Sequence, residues 1–128
     1  MRTSRNVLVV DDNPGNREII HEILDGHFTV IDASNGTEAL AIAARCRPPI
    51  VLLDVMLPDI DGYEVCRRLR RSAGTDTACI IMVSAKAMPS EQQAGFEAGA
   101  DSYLTKPFDD DELWEAIHSR AESREVSV

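Results

Sequence analysis

The chain has 128 residues, 44% of them hydrophobic and 27% charged, with a net charge of −9. That describes one ordinary globular domain, large enough for its own core. The acidic balance argues against nucleic acid and anionic membranes, no run approaches the roughly 18 apolar residues of a span, and Met1-Arg2-Thr3-Ser4-Arg5 lacks an apolar signal core, so a cytoplasmic protein is expected.

In chain order, Asn6-Val7-Leu8-Val9-Val10 reads as a buried strand that stops on Asp11 and Asp12. Asn13-Pro14 supplies an N-cap and a first helical residue. The helix that follows carries Ile19, Ile20, Ile23 and Leu24 at helical spacing and ends at Asp25-Gly26. Phe28 to Asp32 is a short second strand. Asn35 with Glu38 resembles a capping pair for an Ala-rich helix, Thr37 to Cys46, which Pro48-Pro49 ends. Ile50-Val51-Leu52-Leu53-Asp54 is an aliphatic run buried on both faces that stops on a carboxylate.

The chain then turns through Pro58 and Gly62 into a third helix, Gly62 to Ser72, with Val65, Cys66 and Leu69 inward. Its arginines Arg67, Arg68, Arg70 and Arg71 read as a solvated face, with Glu64 paired to Arg68. Ala78 to Val83 is a fourth strand ending on Ser84; Pro89 to Ala98 is a fourth helix weakened by Gly95; Asp101 to Leu104 is a fifth strand ending near Thr105-Lys106-Pro107. Asp109 opens a last helix with Glu112 as its capping-box partner and Leu113, Ala116 and Ile117 buried. Trp114 beside that stripe is read as core packing, and His27 and His118 as surface residues. Cys46, Cys66 and Cys79 lack metal or disulfide spacing and read as inert thiols. Residues 1–122 form the domain, and 123–128 a tail or the start of a linker.

Five βα units in succession imply a doubly wound parallel α/β sheet with right-handed crossovers and helices on both faces. Every strand then delivers its carboxyl end to one edge, so Asp11, Asp12, Asp54, Ser84 and Lys106 should converge there. Carboxylates so close repel one another unless one is protonated or a divalent cation lies between them. An all-oxygen donor set without His or Cys suits Mg²⁺, which takes its remaining ligands from water or phosphate. Lys106 supplies a mobile positive charge, Ser84 a hydroxyl donor, and a carboxylate is itself a nucleophile toward phosphorus. The edge reads as a place where Asp54 accepts a phosphoryl group.

Val9-Val10-Asp11-Asp12, Leu53 to Tyr63, Val83-Ser84-Ala85 and Gly99 to Phe108 together resemble the receiver domain of two-component response regulators, over essentially the whole chain. The resemblance implies a flavodoxin-like fold with strand order 2-1-3-4-5. It implies phosphorylation of Asp54 by a sensor histidine kinase or histidine phosphotransfer protein, with no other enzymatic turnover than slow self-dephosphorylation. It assigns Asp12 as a direct Mg²⁺ ligand (Mn²⁺ substituting in vitro), Asp11 as an acid acting largely through metal-bound water, and the Met56 backbone carbonyl as a further ligand. Ser84 matches the hydroxyl that moves toward the phosphoryl group, Lys106 the lysine that pairs with it, and Tyr103 the aromatic whose rotamer follows. Lys106-Pro107 matches a peptide bond expected to be cis. A downstream effector or dimer partner is expected on the face formed by the fourth helix, fifth strand and last helix.

Met56 and Lys86 depart from a well-studied chemotaxis member, which has an amide and an acid there; a thioether orients attacking water poorly, so slow loss of the phosphoryl group is expected. Two other readings compete. An aspartyl phosphohydrolase would carry D-x-D on its first strand and more chain for substrate, and a flavodoxin-like FMN carrier would have a hydroxyl-rich loop in place of Asn13-Pro14-Gly15-Asn16.

Overall fold

The structure, a computed structural model, describes residues 5–86 and 88–126, with 119–126 described by backbone alone. Five aliphatic runs become strands β1 (Asn6–Val10), β2 (Thr29–Ala33), β3 (Ile50–Asp54), β4 (Cys79–Ser84) and β5 (Ser102–Thr105). They form one parallel sheet in the order β2-β1-β3-β4-β5. Helices α1 (Pro14–Leu24), α2 (Gly36–Cys46), α3 (Gly62–Arg70), α4 (Pro89–Ala98) and α5 (Asp110–Val126) alternate with them.

Alternate strand residues face opposite sides, and each side is a separate apolar layer. Val7, Val9, Leu52, Ile81 and Leu104 pack with Ile20 and Leu24 of α1 and Leu113 and Ile117 of α5. Leu8, Val10, Val51, Leu53, Ile80 and Met82 pack with Ala39 and Ala43 of α2, Val65, Cys66 and Leu69 of α3, and Ala98 of α4. Central strands β3 and β4 are buried at every position, which is why their sequence runs apolar without alternation.

The caps explain most helix starts. Asn13 Oδ1 accepts from the N–H groups of Gly15 and Asn16, with Pro14 opening α1. Asp109 and Glu112 exchange side chain to backbone bonds of 2.8 and 2.9 Å, the expected capping box. Asn35 accepts from Glu38 N, but the Glu38 carboxylate reaches back one residue further, to the Ser34 N–H at 2.6 Å. The Lys106–Pro107 bond is cis, as expected.

Several expectations need correction. Ile19 points outward, 54% exposed, so the buried stripe of α1 is narrower than the spacing suggests. The second strand starts at Thr29 and not Phe28, and α3 ends at Arg70, short of Ser72. Helix α5 continues to Val126; 127 and 128 lie outside the described residues. Arg70 is no solvated residue. Its guanidinium donates to the carbonyls of Gly99, Asp76 and Ala78 and pairs with Asp101 at 2.8 Å, cross-linking α3 to β4 and β5. Arg67 and Arg68 do share Glu64, each at 3.0 Å. Trp114 is half-buried against Phe28, with the exposed rings of His27 and His118 on it at 5.0 and 5.2 Å.

Candidate phosphoacceptor site

The parallel register brings the acids together before any side chain is considered. Val10 of β1 pairs with Leu53 of β3, so Asp11 and Asp54 follow the last pair on neighbouring strands. Asp54 pairs with Val83, which puts Ser84 one residue further along β4. Ser84 pairs with Thr105, and the Lys106 N–H donates to the Ser84 carbonyl at 2.8 Å. Residues up to 95 positions apart thus meet on one rim.

Lys106 decides the electrostatics. Its Nζ lies 3.0 Å from Asp11 Oδ2 and 3.0 Å from Asp54 Oδ2. Asp11 and Asp54 are buried, and Asp12 stands exposed at the edge of the cluster. Oxygens of all three carboxylates lie within 4.8 Å of one another. Burial pushes the Asp54 carboxyl above the usual carboxylate range, against the lowering pull of the Met56 N–H and Lys106. Burial also depresses the Lys106 ammonium, but its hydrogen bonds to Asp54 and Asp11 outweigh this and hold it above the ordinary lysine value. Two acids at about 4 Å repel by roughly 4 kcal/mol at an effective dielectric of 20, so the ammonium relieves part of a real strain. The third acid leaves negative charge over. Three hard oxygen donors with no sulfur or imidazole fit a small divalent cation.

Of the remaining expected residues, Met56 and Ser84 fall on the same rim, and Tyr103, two residues short of it on β5, reaches the segment beyond Ser84 with its hydroxyl. The Met56 N–H donates to Asp54 Oδ1 at 2.9 Å, fixing that carboxylate, while the Met56 side chain is exposed. The Ser84 hydroxyl is fully buried and accepts from the Lys86 N–H at 3.0 Å. Tyr103 lies half-buried with its ring over Gly95, where an added Cβ would sit 3.0 Å from the ring; its hydroxyl donates to the Lys86 carbonyl at 2.8 Å. Gly95 therefore makes room for Tyr103. Gly62 permits a closer approach still. A Cβ there would collide with the Asp54 carbonyl and meet Val55 Cα at 2.7 Å, and the Gly62 N–H donates to the Val55 carbonyl, pinning α3 to the end of β3.

Four further residues bear on the rim. Asn16 Nδ2 donates to Asp11 Oδ2 at 3.3 Å, and Arg17 donates to the Asp11 carbonyl at 2.6 Å. Asp59, in the loop beyond β3, accepts from the N–H groups of Gly36 and Thr37 and from the Thr37 hydroxyl. Those bonds, the Thr37 hydroxyl first, hold its carboxyl far below the usual range and tie the loop carrying Met56 to α2. Tyr63 donates to the Glu91 carbonyl at 3.1 Å. Asn16 and Arg17 stand in the first turn of a helix whose cap is legible, which is the one signal that could have found them. Asp59 and Tyr63 lie within the Leu53–Tyr63 motif, but no local pattern announces partners 22 and 28 positions away.

The family model for the response regulator receiver domain matches residues 7–118. The chain belongs to that family. Response regulator MprA of Mycobacterium leprae is 45% identical over 114 residues, 88% of this chain and 49% of that protein. Among solved structures, the receiver domain resembles the chemotaxis response regulator CheY4 of Vibrio cholerae, with TM-score 0.86, 30% identity, and 92% and 99% of the two chains covered. A CheY-like receiver domain protein from Methanospirillum hungatei gives TM-score 0.90 at 26% identity, covering 98% of this chain and all of that one. The receiver domain spans about half the length of the curated relatives it matches.

Proposed function

We propose that this receiver domain is a phosphoacceptor switch: Asp54 takes a phosphoryl group from the phosphohistidine of a sensor kinase or histidine phosphotransfer protein. The observation that carries this reading is the single ammonium of Lys106 bonded at 3.0 Å to both Asp11 and Asp54, with Asp12 at the same rim. An Asp54 carboxylate oxygen attacks phosphorus, the O–P bond forms as the P–N bond breaks, and its electron pair leaves with the donor imidazole. Lys106, already on Asp54 Oδ2, neutralises a phosphoryl oxygen as the new acyl phosphate forms. The Met56 N–H holds the other Asp54 oxygen and so fixes which way the nucleophile faces.

Asp11, Asp12, Asp54 and the Met56 carbonyl are the groups that would hold Mg²⁺, with Mn²⁺ replacing it in vitro. When bound, such a cation supplies neutralising charge to the phosphoryl oxygens. The Ser84 hydroxyl then exchanges the Lys86 N–H for a phosphoryl oxygen. That frees the segment Tyr103 holds by its carbonyl, and the face formed by α4, β5 and α5 changes its preference for an effector or dimer partner. The role is that of a cytoplasmic signalling switch and not of an enzyme turning over small phosphates, and the net charge of −9 keeps direct nucleic-acid contact out of it.

Incubation with phosphoramidate and Mg²⁺, read by intact mass, tests the reading. The expected result is a gain of one phosphoryl group that chelation prevents. Continuous release of phosphate from a generic monoester, without a phosphorylated protein, would overturn it.

A further inference from the structure

Tyr63 and Tyr103 are the two tyrosines of the chain, and they stand on different elements, α3 and β5. Their hydroxyls nevertheless serve one place. Tyr103 donates to the Lys86 carbonyl, just beyond β4, and Tyr63 to the carbonyl of Glu91, in the first turn of α4. The phenols are close enough to feel one another: burial first, and then Tyr103, push the Tyr63 hydroxyl up to about 12. Glu91 adds a third tie, accepting from the Met88 N–H and lying 3.8 Å from the Lys86 ammonium.

The connections differ in what stands behind them. Tyr63 grows from a helix whose Val65, Cys66 and Leu69 are in the core, so its hydroxyl is a fixed point. Tyr103 holds the same residue, Lys86, whose N–H the Ser84 hydroxyl occupies. A change at Ser84 therefore reaches Lys86 directly and α4 only against the Tyr63 bond.

We propose that Tyr63 is a second positioning residue of the switch, a tie from α3 to the first turn of α4 that movement at Ser84 works against, so that it sets how far Tyr103 and α4 respond. The inference rests on the phosphoacceptor reading. It specifies a residue that takes no part in phosphoryl transfer itself.

The two tyrosines give a direct test. In protein labelled with 3-fluorotyrosine, the ¹⁹F spectrum holds one resonance for each. Phosphorylation with phosphoramidate and Mg²⁺ should move both signals in step with the gain in mass. Tyr63→Phe keeps the ring and removes one neutral hydrogen bond, which should change the ratio of Tyr103 environments by about fivefold, with or without the donor. Gly95→Ala, which crowds the Tyr103 ring from the other side, should move the Tyr63 resonance as well. If the wild type gains the phosphoryl group but Tyr63 stays still while Tyr103 moves, Tyr63 has no such role. The role fails equally if Tyr63→Phe leaves the Tyr103 signal and its response unchanged. Failure of the wild type to gain mass at all would remove the phosphoacceptor reading too, and the mass measurement tells the two failures apart.

Discussion

Lys106 touches both buried carboxylates, and its loss leaves two like charges facing each other in a water-poor site. Breaking such a pair from one side costs more than the pair contributes. Lys106→Ala should lose about 2–4 kcal/mol in urea unfolding without metal, and Mg²⁺ should restore more stability to the variant than it adds to wild type. Equal Mg²⁺ effects on both would mean that cation and ammonium do not share the acids. Met56 sits beside Asp54 with a thioether that orients water poorly. Met56→Asn should shorten the phosphorylated lifetime, followed by decay of the phosphorylated mass; an unchanged lifetime would contradict the role given to this position. The thiols differ by burial. Cys66 is pushed up to about 11, burial being the main cause, and only Cys46 is exposed. Iodoacetamide at pH 8 should modify Cys46 first and leave Cys66 and Cys79 intact while the fold holds. Because the Cys66 value is raised on folding, the unfolded chain ionises first, so its contribution to stability falls as pH rises from 9 towards 11.

Elements meet here through backbone as much as through side chains. Helix α3 approaches the end of β3 so closely that residue 62 has no room for a Cβ against the Asp54 carbonyl and Val55 Cα. Backbone does not yield as a side chain end does. Gly62→Ala should therefore destabilise by about 2–3 kcal/mol and slow phosphoryl uptake, since the shift falls on the peptide of Asp54. Retention of both would show that the approach is looser than this. The element boundaries show what sequence encodes locally. Asn13, Asn35 and Asp109 announce their helices because a cap's partner lies two or three residues away. Arg70 and Asp59 could not be read so, since the carboxylate that pairs with Arg70 and the helix start that Asp59 caps lie 31 and 22 positions off. Arg70 was further hidden inside a run of arginines whose other members do face solvent and Glu64. The extension of α5 to Val126 follows from no apolar stripe, since that stretch carries polar and charged residues.

For the whole molecule, topology does what no local feature does alone. Alternation of strand and helix forces parallel strands, parallel strands share one carboxyl edge, and the acids, the hydroxyl and the ammonium stand at strand ends. That much follows from the apolar runs and where they stop, so the convergence is legible in the sequence. The strand order is not, because alternation permits several orders, and it came with the resemblance to the family. The two-tyrosine arrangement is invisible for another reason: each hydroxyl bonds a backbone carbonyl 28 or 17 positions away, and no side-chain pattern announces such a partner.

On this account one carboxylate of the edge receives the phosphoryl group and the others serve it. Intact mass of wild type and Asp54→Asn, each incubated with phosphoramidate and Mg²⁺, tests that most directly. The wild type should gain one phosphoryl group and the variant none, while the variant stays folded. An equal gain in Asp54→Asn would contradict the account, because the nucleophile would then lie elsewhere.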